Sequence, residues 1–331
     1  MRFATLRNGT PDGRLHLVSR DNSRAAPAAA ATTLQEALER WEAVAPALQA
    51  EYADLNGGRV SAARPFEPAL ALAPLPRAWQ WLDGSAYDSH GALMAKVFGI
   101  DAKGGSDRPL MYQGISDRFI APMEDVPLPS QDDGIDFEGE FGVITDAVPM
   151  GTRAEDAAAH IRLVVQINDW SLRRIAPVEM RTGFGWLQCK PRCSMAPVAV
   201  TPDELGDAWR DCQVALRLAV DWNGRRFGNA HGYGMAEGFD RLVEHAAYSR
   251  DLVAGTVIGS GTVSNEDYRE VGSSCIAERR AIEMIDEGAA KTPFMAFGDR
   301  VRMEAVLDDG SPLFGAIDQV VIQAPPPGPV R

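Results

Sequence analysis

The chain has 331 residues, of which 45% are hydrophobic and 24% are charged, and its formal net charge is −13. This composition is typical of a soluble globular protein, and the length predicts one large domain together with a smaller one. The acidic balance argues against a nucleic-acid partner, because no surplus of Lys and Arg is available to neutralise phosphates.

The cysteines and the N-terminus predict a cytoplasmic location. The four cysteines contain no C-x-x-C pair, so they support neither a zinc knuckle nor a disulfide framework. The N-terminal residues lack the apolar segment of a signal peptide, and no run of about 18 apolar residues occurs in the chain. Secretion and membrane spanning are therefore not expected.

Residues 1–77 are predicted to form a small N-terminal domain. Alternating apolar and polar positions on either side of Asp12-Gly13 predict a β-hairpin. Thr33 and Glu36 form a capping box at the start of a helix, which Pro46 is expected to bend or divide. A proline-rich linker then ends this domain near residue 77.

Residues 78–331 are predicted to form a second domain that is rich in strands and has short helices, so the expected fold class is mainly β (α+β). Asn223-Gly224 and Asp309-Gly310 each predict a β-hairpin. Thr152 is expected to cap a short helix. That helix would lead into a buried strand at residues 161–167.

A predicted strand carries three carboxylates, Asp136, Glu138 and Glu140. Successive side chains on a strand alternate between its faces, so Glu138 and Glu140 point the same way, with Asp136 as a third member. Carboxylates that converge beside apolar residues repel one another and are costly to desolvate. A hard divalent cation such as Mg²⁺ or Ca²⁺ between them would relieve that repulsion. The alternative is a solvated strand face that binds nothing.

Three further charged residues have both a functional and a structural interpretation. Asp169 follows the buried strand and is either another oxygen ligand or the N-cap of a helical turn. Arg173 is either a clamp for a substrate anion or a surface arginine. Lys190 lies among apolar residues, where it either stabilises negative charge on a substrate or extends its amine to the surface.

His90 follows Asp83 by seven residues and is the candidate general base, because a neutral imidazole accepts a proton from water near pH 7. The alternative is a structural histidine. The segment Gly259–Thr262 has small residues that would let the backbone approach a ligand closely, but it is not a nucleotide P-loop, since no Gly-Lys-Ser/Thr follows. The absence of a G-x-S-x-G motif argues against a serine hydrolase of the α/β class.

Together these segments resemble the fumarylacetoacetate hydrolase family over most of the region from Asp83 to Ile322. Four blocks carry the resemblance by their order and spacing: D-x6-H at Asp83–His90, D-F-E-G-E at Asp136–Glu140, N-D-W-S at Asn168–Ser171 and G-S-G-T at Gly259–Thr262. Two lesser matches are L-M-Y-Q-G at residues 110–114 and F-G-A-I-D at residues 314–318.

The resemblance implies a mixed β-sandwich roll, usually a homodimer, with residues 1–77 as an accessory domain. The metal ligands that it implies are Asp83, Glu138, Glu140 and Asp169. The catalytic histidine and the active-site lysine would be His90 and Lys190. The positions that contact the substrate or its leaving group would be Tyr112, Arg173 and Thr262.

The chain departs from the family pattern at two positions. The arginine that binds the substrate's carboxylate in the animal enzyme falls on Gly99. The glutamate that orients the catalytic histidine falls on Ile276, and Glu278, two residues away, is the candidate to replace it by a small shift of the loop. These departures leave the metal site intact and weaken the assignment of fumarylacetoacetate itself as the substrate.

Three functions follow as hypotheses. The first is metal-dependent hydrolysis of a carbon–carbon bond in a β-diketone or acylpyruvate, with water activated by His90 and an enolate stabilised by Lys190 and by Mg²⁺, Ca²⁺ or Mn²⁺. The second is a lyase of the same family, namely an oxaloacetate-type decarboxylase or a hydratase or isomerase of 2-oxo-alkenoates. The third is a non-catalytic Ca²⁺-binding protein. The expected partner of an enzyme is a small oxo acid, not nucleic acid or a membrane.

Overall fold

The computed structural model describes residues 1–98 and 108–326, so Gly99 and the end of the proline-rich tail lie outside the described residues. Within those ranges the chain forms twenty strands and eight α-helices. None of the described helices has both the length and the apolar character needed to cross a membrane.

The strands in chain order are β1 Arg2–Leu6, β2 Arg14–Val18, β3 Arg24–Pro27, β4 Arg64–Pro65, β5 Gln80–Gly84, β6 Met111–Gly114, β7 Val126–Leu128, β8 Ile135–Asp136, β9 Gly139–Thr145, β10 Ile161–Asn168, β11 Ser171–Leu172, β12 Ser194–Met195, β13 Ala199–Val200, β14 Trp209–Arg210, β15 Gln213–Val214, β16 Arg217–Trp222, β17 Arg225–His231, β18 Thr256–Gly259, β19 Arg300–Ala305 and β20 Ile317–Gln323. The helices are α1 Leu34–Glu39, α2 Trp41–Asn56, α3 Asp88–Phe98, α4 Ala154–Ala157, α5 Ala176–Thr182, α6 Phe239–Ala246, α7 Tyr268–Val271 and α8 Ile276–Glu287.

The largest sheet runs in the order β4-β3-β2-β1-β13-β10-β9-β18-β5-β6, and β12 also pairs with β10. The hairpin predicted around Asp12-Gly13 is confirmed, because β1 and β2 pair antiparallel. Since β1 also pairs with β13, the strands of the N-terminal 77 residues extend the sheet that carries β9 and β10. The strand predicted at residues 161–167 is β10, and it is almost entirely buried.

A second sheet has the order β17-β16-β19-β20-β7. Both predicted hairpins lie in it and are confirmed, since β16 pairs antiparallel with β17 and β19 with β20. Asn223 and Gly224, the turn residues of the first hairpin, have φ values of 51° and 73°, as the two central residues of this tight turn require. Sheets and short helices together confirm the α+β class.

Two local predictions need correction. Thr33 does cap α1, since its side chain accepts a hydrogen bond from the Glu36 N–H at 3.1 Å. However, the helix is divided at Arg40, which has non-helical dihedral angles, and Pro46 lies inside α2. The predicted cap at Thr152 is wrong, because its hydroxyl donates to the Pro149 carbonyl at 2.7 Å and α4 begins only after Arg153.

One small packing contact positions a candidate catalytic residue. Helix α3 carries His90 and packs against α8 through Leu93, which contacts Ala281 and Ile282. His90 lies in the first turn of α3, and Glu278 lies in the first turn of α8. The packing of the two helices brings these turns towards each other. Burial of these apolar side chains therefore fixes the relative placement of His90 and Glu278.

Candidate metal centre and active site

Four carboxylates from separate segments meet in the interior of the protein. Each of them offers one oxygen, and those oxygens lie within 4.8 Å of one another; the residues are Asp83, Glu138, Glu140 and Asp169. All four residues are buried. The four residues that the resemblance implies as metal ligands are thus brought together by the fold.

The central strands of the large sheet bring these carboxylates together. Glu140 on β9 lies directly opposite Ile167 on β10, so Asp169 emerges beside it just after β10 ends. The Asp169 N–H donates to the Glu138 carbonyl at 3.0 Å, which ties the two ligand-bearing segments to each other. Asp83 enters from β5, which reaches β9 through the intervening strand β18.

Glu140 is the ligand candidate whose surroundings best fit a cation site. Both of its carboxylate oxygens are buried and have no hydrogen-bond donor among the described residues. Burial raises its pKa well above the usual value, and the neighbouring charges of Asp83 and Asp169 raise it further. A buried anion in this position must either hold a proton or face a positive charge.

Lys190 supplies part of the positive charge. Its ammonium group donates to Glu138 and to Asp169, each at 2.6 Å, and its side chain is almost completely buried. Although burial lowers the pKa of Lys190, the charges of Asp169 and Glu138 outweigh that effect and raise it. Lys190 is therefore charged and inside the site, and the alternative of an amine that extends to the surface is excluded.

When all four carboxylates are ionised, the charges in this region do not balance without a further cation. Glu138 has its pKa lowered, because Arg173 and Lys190 outweigh the effect of burial. Burial raises the pKa of Asp83 and of Asp169, the latter in spite of Lys190. Carboxylate oxygens are the ligands that hard divalent cations prefer, and a divalent cation is the charge that this cluster lacks. The four residues thus fit Mg²⁺, Ca²⁺ or Mn²⁺.

His90 and Glu278 form a hydrogen-bonded pair, with the imidazole Nδ1 2.9 Å from a Glu278 carboxylate oxygen. Glu278 is fully buried, whereas the His90 side chain is 16% exposed. Because a carboxylate accepts at Nδ1, the neutral form of the ring carries its hydrogen on that nitrogen and its free lone pair on Nε2. The family pattern places the glutamate that orients the histidine at Ile276. In this chain Glu278, two residues away, makes the contact with His90.

Asp136 and Arg173 contact each other, whereas the sequence predicted that Asp136 joins the carboxylate cluster and that Arg173 binds a substrate anion. Asp136 is not part of the four-carboxylate cluster, because the strand is interrupted between β8 and β9 and strict alternation does not extend across the gap. The Arg173 guanidinium donates to Asp136 at 2.8 Å and also to Glu138. Arg173 is therefore a largely buried partner of two carboxylates, and its contact with a substrate anion stays a prediction.

Tyr112 and two residues that the sequence reasoning did not single out surround Lys190 and Asp169. The Tyr112 hydroxyl donates to Asp169 at 2.8 Å, and the Cys193 thiol donates to the other oxygen of the same carboxylate at 2.9 Å. The Trp186 and Tyr112 rings each lie over the Lys190 ammonium, at 5.4 Å and 5.3 Å from it. Trp186 is close to Lys190 in sequence, but only the fold shows that its ring faces the amine.

Thr262 is buried in the loop that follows β18, next to the Asp83 end of β5. The Gly261 N–H donates to the Asp83 carboxylate at 3.1 Å. A Cβ atom at Gly259 would lie 2.3 Å from that carboxylate, so the glycine is needed for the close approach. The sequence suggested that the small residues of this segment let the backbone approach a bound ligand. In the structure they let the backbone approach the Asp83 carboxylate, which is a candidate to bind the metal.

Family profiles match both parts of the chain. The profile described as fumarylacetoacetate (FAA) hydrolase C-terminal matches residues 80–322, and the profile described as fumarylacetoacetase N-terminal domain 2 matches residues 1–77. Human mitochondrial oxaloacetate tautomerase FAHD2A is 28% identical over 162 residues, which are 46% of this chain and 48% of that protein. The 2,4-didehydro-3-deoxy-L-rhamnonate hydrolase of Sphingomonas sp. strain SKA58 is 26% identical over 157 residues, which are 46% of this chain and 52% of that protein. The alignments thus span about half the length of these relatives.

Solved structures share the fold along nearly the whole chain. Maleylpyruvate hydrolase from Sphingobium sp. SYK-6 superposes with a TM-score of 0.65 at 15% identity, covering 98% of this chain and 100% of that one. The same enzyme has been crystallised with manganese(II) and pyruvate. The 5-carboxymethyl-2-hydroxymuconate delta-isomerase from Mycobacterium smegmatis superposes with a TM-score of 0.62 at 19% identity, with the same coverage. Since the C-terminal profile alone matches well over half of the chain, this protein belongs to the fumarylacetoacetate hydrolase family.

Proposed function

We propose that the protein is a metal-dependent hydrolase that cleaves a carbon–carbon bond in an acylpyruvate or a related β-diketone acid. The observation that carries the proposal is the hydrogen bond between His90 and Glu278, on the two helices that pack together beside the carboxylate cluster. An oriented neutral imidazole is the group needed to take a proton from water. Hydrolysis needs this proton transfer from water, whereas tautomerisation and decarboxylation do not.

The reaction assigns a task to each of these residues. His90 Nε2 takes a proton from water while the water oxygen bonds to the acyl carbonyl carbon. The bond between that carbon and the neighbouring methylene carbon then breaks, and its electron pair leaves as the enolate of a 2-oxo acid. The proton held by His90 returns to the methylene carbon, which gives a carboxylic acid and a 2-oxo acid as products.

Negative charge that develops on the substrate lies near Lys190, whose ammonium remains charged because Glu138 and Asp169 flank it. Asp83, Glu138, Glu140 and Asp169 would hold the divalent cation. When bound, the cation supplies Lewis-acid polarisation of the substrate's oxygens and compensates the charge of an enolate. Mg²⁺, Ca²⁺ and Mn²⁺ are the candidates, and a homodimer remains the expected assembly.

A second candidate is enol–keto tautomerisation or decarboxylation of an oxaloacetate-like acid. It is favoured by the human relatives that are named oxaloacetate tautomerases. These reactions also pass through an enolate, for which Lys190 is suitably charged, but they need no attacking water. His90 would then only transfer a proton between substrate atoms.

The test is to incubate metal-loaded protein separately with fumarylpyruvate, acetylpyruvate, fumarylacetoacetate and oxaloacetate, and to identify the products while the enol absorbance is followed. The proposal expects cleavage of an acylpyruvate into a carboxylic acid and pyruvate, abolished by EDTA and by His90→Ala. Glu287→Gln, at the exposed end of the helix that carries Glu278, serves as the matched control. Turnover of oxaloacetate alone would replace the first candidate with the second. Turnover that survives exhaustive chelation, or no turnover of any of these acids, would contradict both.

A further inference from the structure

A separate cavity of about 590 Å³ lies next to the edge strand β6. Asp83 pairs with Tyr112 and Leu82 pairs with Gln113 in the β5–β6 ladder. Side chains alternate along a strand, so Leu82 and Gln113 point to the face opposite the carboxylate cluster, and both line this cavity. None of the four clustered carboxylates lines this cavity, and Tyr112 is the one residue of the candidate active site that borders it.

The wall of this cavity is positively charged in a protein whose net charge is −13. Its described lining has two glutamates, Glu237 and Glu244, and four arginines, Arg108, Arg153, Arg241 and Arg250. Glu244 is paired with Arg153 at 2.8 Å and with Arg241 at 2.9 Å, and Arg241 also forms an ion pair with Glu237 at 3.8 Å. The cations thus outnumber the anions.

Arg250 contributes most to the unbalanced charge. It is exposed, and it donates a hydrogen bond to the neutral Gln113 side chain at 3.3 Å. Within residues 1–98 and 108–326, no carboxylate forms an ion pair with Arg250. A guanidinium presents several N–H donors in one plane, which matches the oxygens of a phosphate group.

The rest of the cavity suits an organic body attached to that phosphate. Its volume falls within the range of small-molecule sites and is larger than an inorganic phosphate needs. The Tyr248 ring, 70% exposed, lies at this wall with the Arg108 guanidinium 5.4 Å from its centre. Leu82 and Met111 add apolar surface at the sheet edge.

We infer that this cavity is a binding site for a phosphorylated small molecule, with Arg153, Arg241 and Arg250 contacting the phosphate and Tyr248 contacting the organic body. The site goes beyond the proposed catalytic function, and none of the four residues assigned to the phosphate and the organic body takes part in that function. It would hold its ligand whichever oxo acid the enzyme transforms.

The experiment titrates the full chain, kept metal-free with EDTA, with phenyl phosphate at constant ionic strength and follows binding by isothermal titration calorimetry. Inorganic phosphate tests the anion alone, and phenol tests the ring alone. The key variant is Arg153→Ala/Arg250→Ala, which removes two exposed arginines. Arg64→Ala/Arg225→Ala is its matched control, because it removes two exposed arginines outside the cavity and changes the net charge equally.

Phenyl phosphate should bind more tightly than inorganic phosphate, and phenol should show no detectable binding. The affinity should fall by at least about tenfold in Arg153→Ala/Arg250→Ala and remain unchanged in the control, since charge-assisted hydrogen bonds are lost only in the former. Near-wild-type melting temperatures of both variants would show that they fold. Equal binding by the two double variants, or no binding of either phosphate by the wild-type protein, would overturn the inference.

Discussion

The Arg173 guanidinium and the Asp136 carboxylate form a largely buried ion pair at 2.8 Å, and that carboxylate also accepts hydrogen bonds from the first two N–H groups of α8. These bonds run from Asp136 to Ile276 at 2.7 Å and to Ala277 at 2.9 Å. Arg173 also donates to Glu138. A continuous set of hydrogen bonds thus connects a metal-ligand candidate with the helix that carries Glu278.

Asp136→Asn should destabilise the protein by at least about 2 kcal/mol, because it removes the negative charge that both Arg173 and the N-terminus of α8 contact. Urea denaturation of the metal-free protein measures the change. Asp132→Asn removes a nearby exposed carboxylate and is the control, for which we expect no measurable effect. Equal stabilities of the two variants would show that the pair contributes little.

Glu278→Gln should lower kcat by about 10²-fold or more while KM changes little, because the amide no longer fixes the hydrogen on His90 Nδ1. The ¹⁵N chemical shifts of His90 report the tautomer directly, and we expect a mixture of tautomers in the variant. Glu287→Gln, at the other end of the same helix, should behave like the wild type. An unchanged tautomer together with lost activity would exclude orientation as the role of Glu278.

Glu140→Gln should abolish the stabilisation of the protein by divalent cations. A cation present at 100 times its Kd raises the free energy of unfolding by about 2.7 kcal/mol, provided that it binds only the folded state. Melting temperatures with and without Mn²⁺, Mg²⁺ or Ca²⁺ test this for the wild type and the variant. Glu67→Gln, an exposed position, is the control and should keep the full shift. A shift retained in Glu140→Gln would remove Glu140 from the ligand set.

The metal-free protein should also show a specific dependence on pH. The pKa of Glu140 is raised in the folded state, so the folded protein holds a proton that the unfolded chain releases. This group's contribution to the free energy of unfolding is therefore complete at low pH and decreases as pH rises above about 4.3, the ordinary glutamate value. We expect the wild type to lose stability relative to Glu140→Gln as pH rises from there, and the difference between their unfolding free energies measures it. A difference that stays constant with pH would contradict the raised pKa.

Lys190→Met should destabilise the metal-free protein by about 3–5 kcal/mol, because it leaves Glu138 and Asp169 buried without their shared cation. Addition of a divalent cation should recover part of this loss, since it supplies a positive charge at the same carboxylates. Lys291→Met, at an exposed ion pair, provides the control and should change stability by less than about 1 kcal/mol. A variant that is no less stable than this control would mean that Lys190 is not needed to balance the cluster.

Several parts of the fold are determined by local patterns in the sequence. The hairpin at Asn223-Gly224 follows from two turn residues that tolerate positive φ, and β10 follows from a short apolar run. The identity of the ligand candidates also comes from the sequence, because D-F-E-G-E and N-D-W-S follow one another in a family order. Local chemistry is sufficient for the hairpin and for β10, since each of them depends on residues within about ten positions of one another.

Tertiary structure decided which charges meet. Alternation placed Asp136 with Glu138 and Glu140, but the interruption between β8 and β9 turned Asp136 towards Arg173 and α8. Lys190 had two open interpretations, and only the fold, which brings its ammonium to Glu138 and Asp169, made it a buried partner. The pairing of His90 with Glu278 joins residues that are 188 positions apart, and it depends on the packing of two helices. The free energy of a buried charge depends on all its neighbours in space, and a linear pattern lists only its neighbours along the chain.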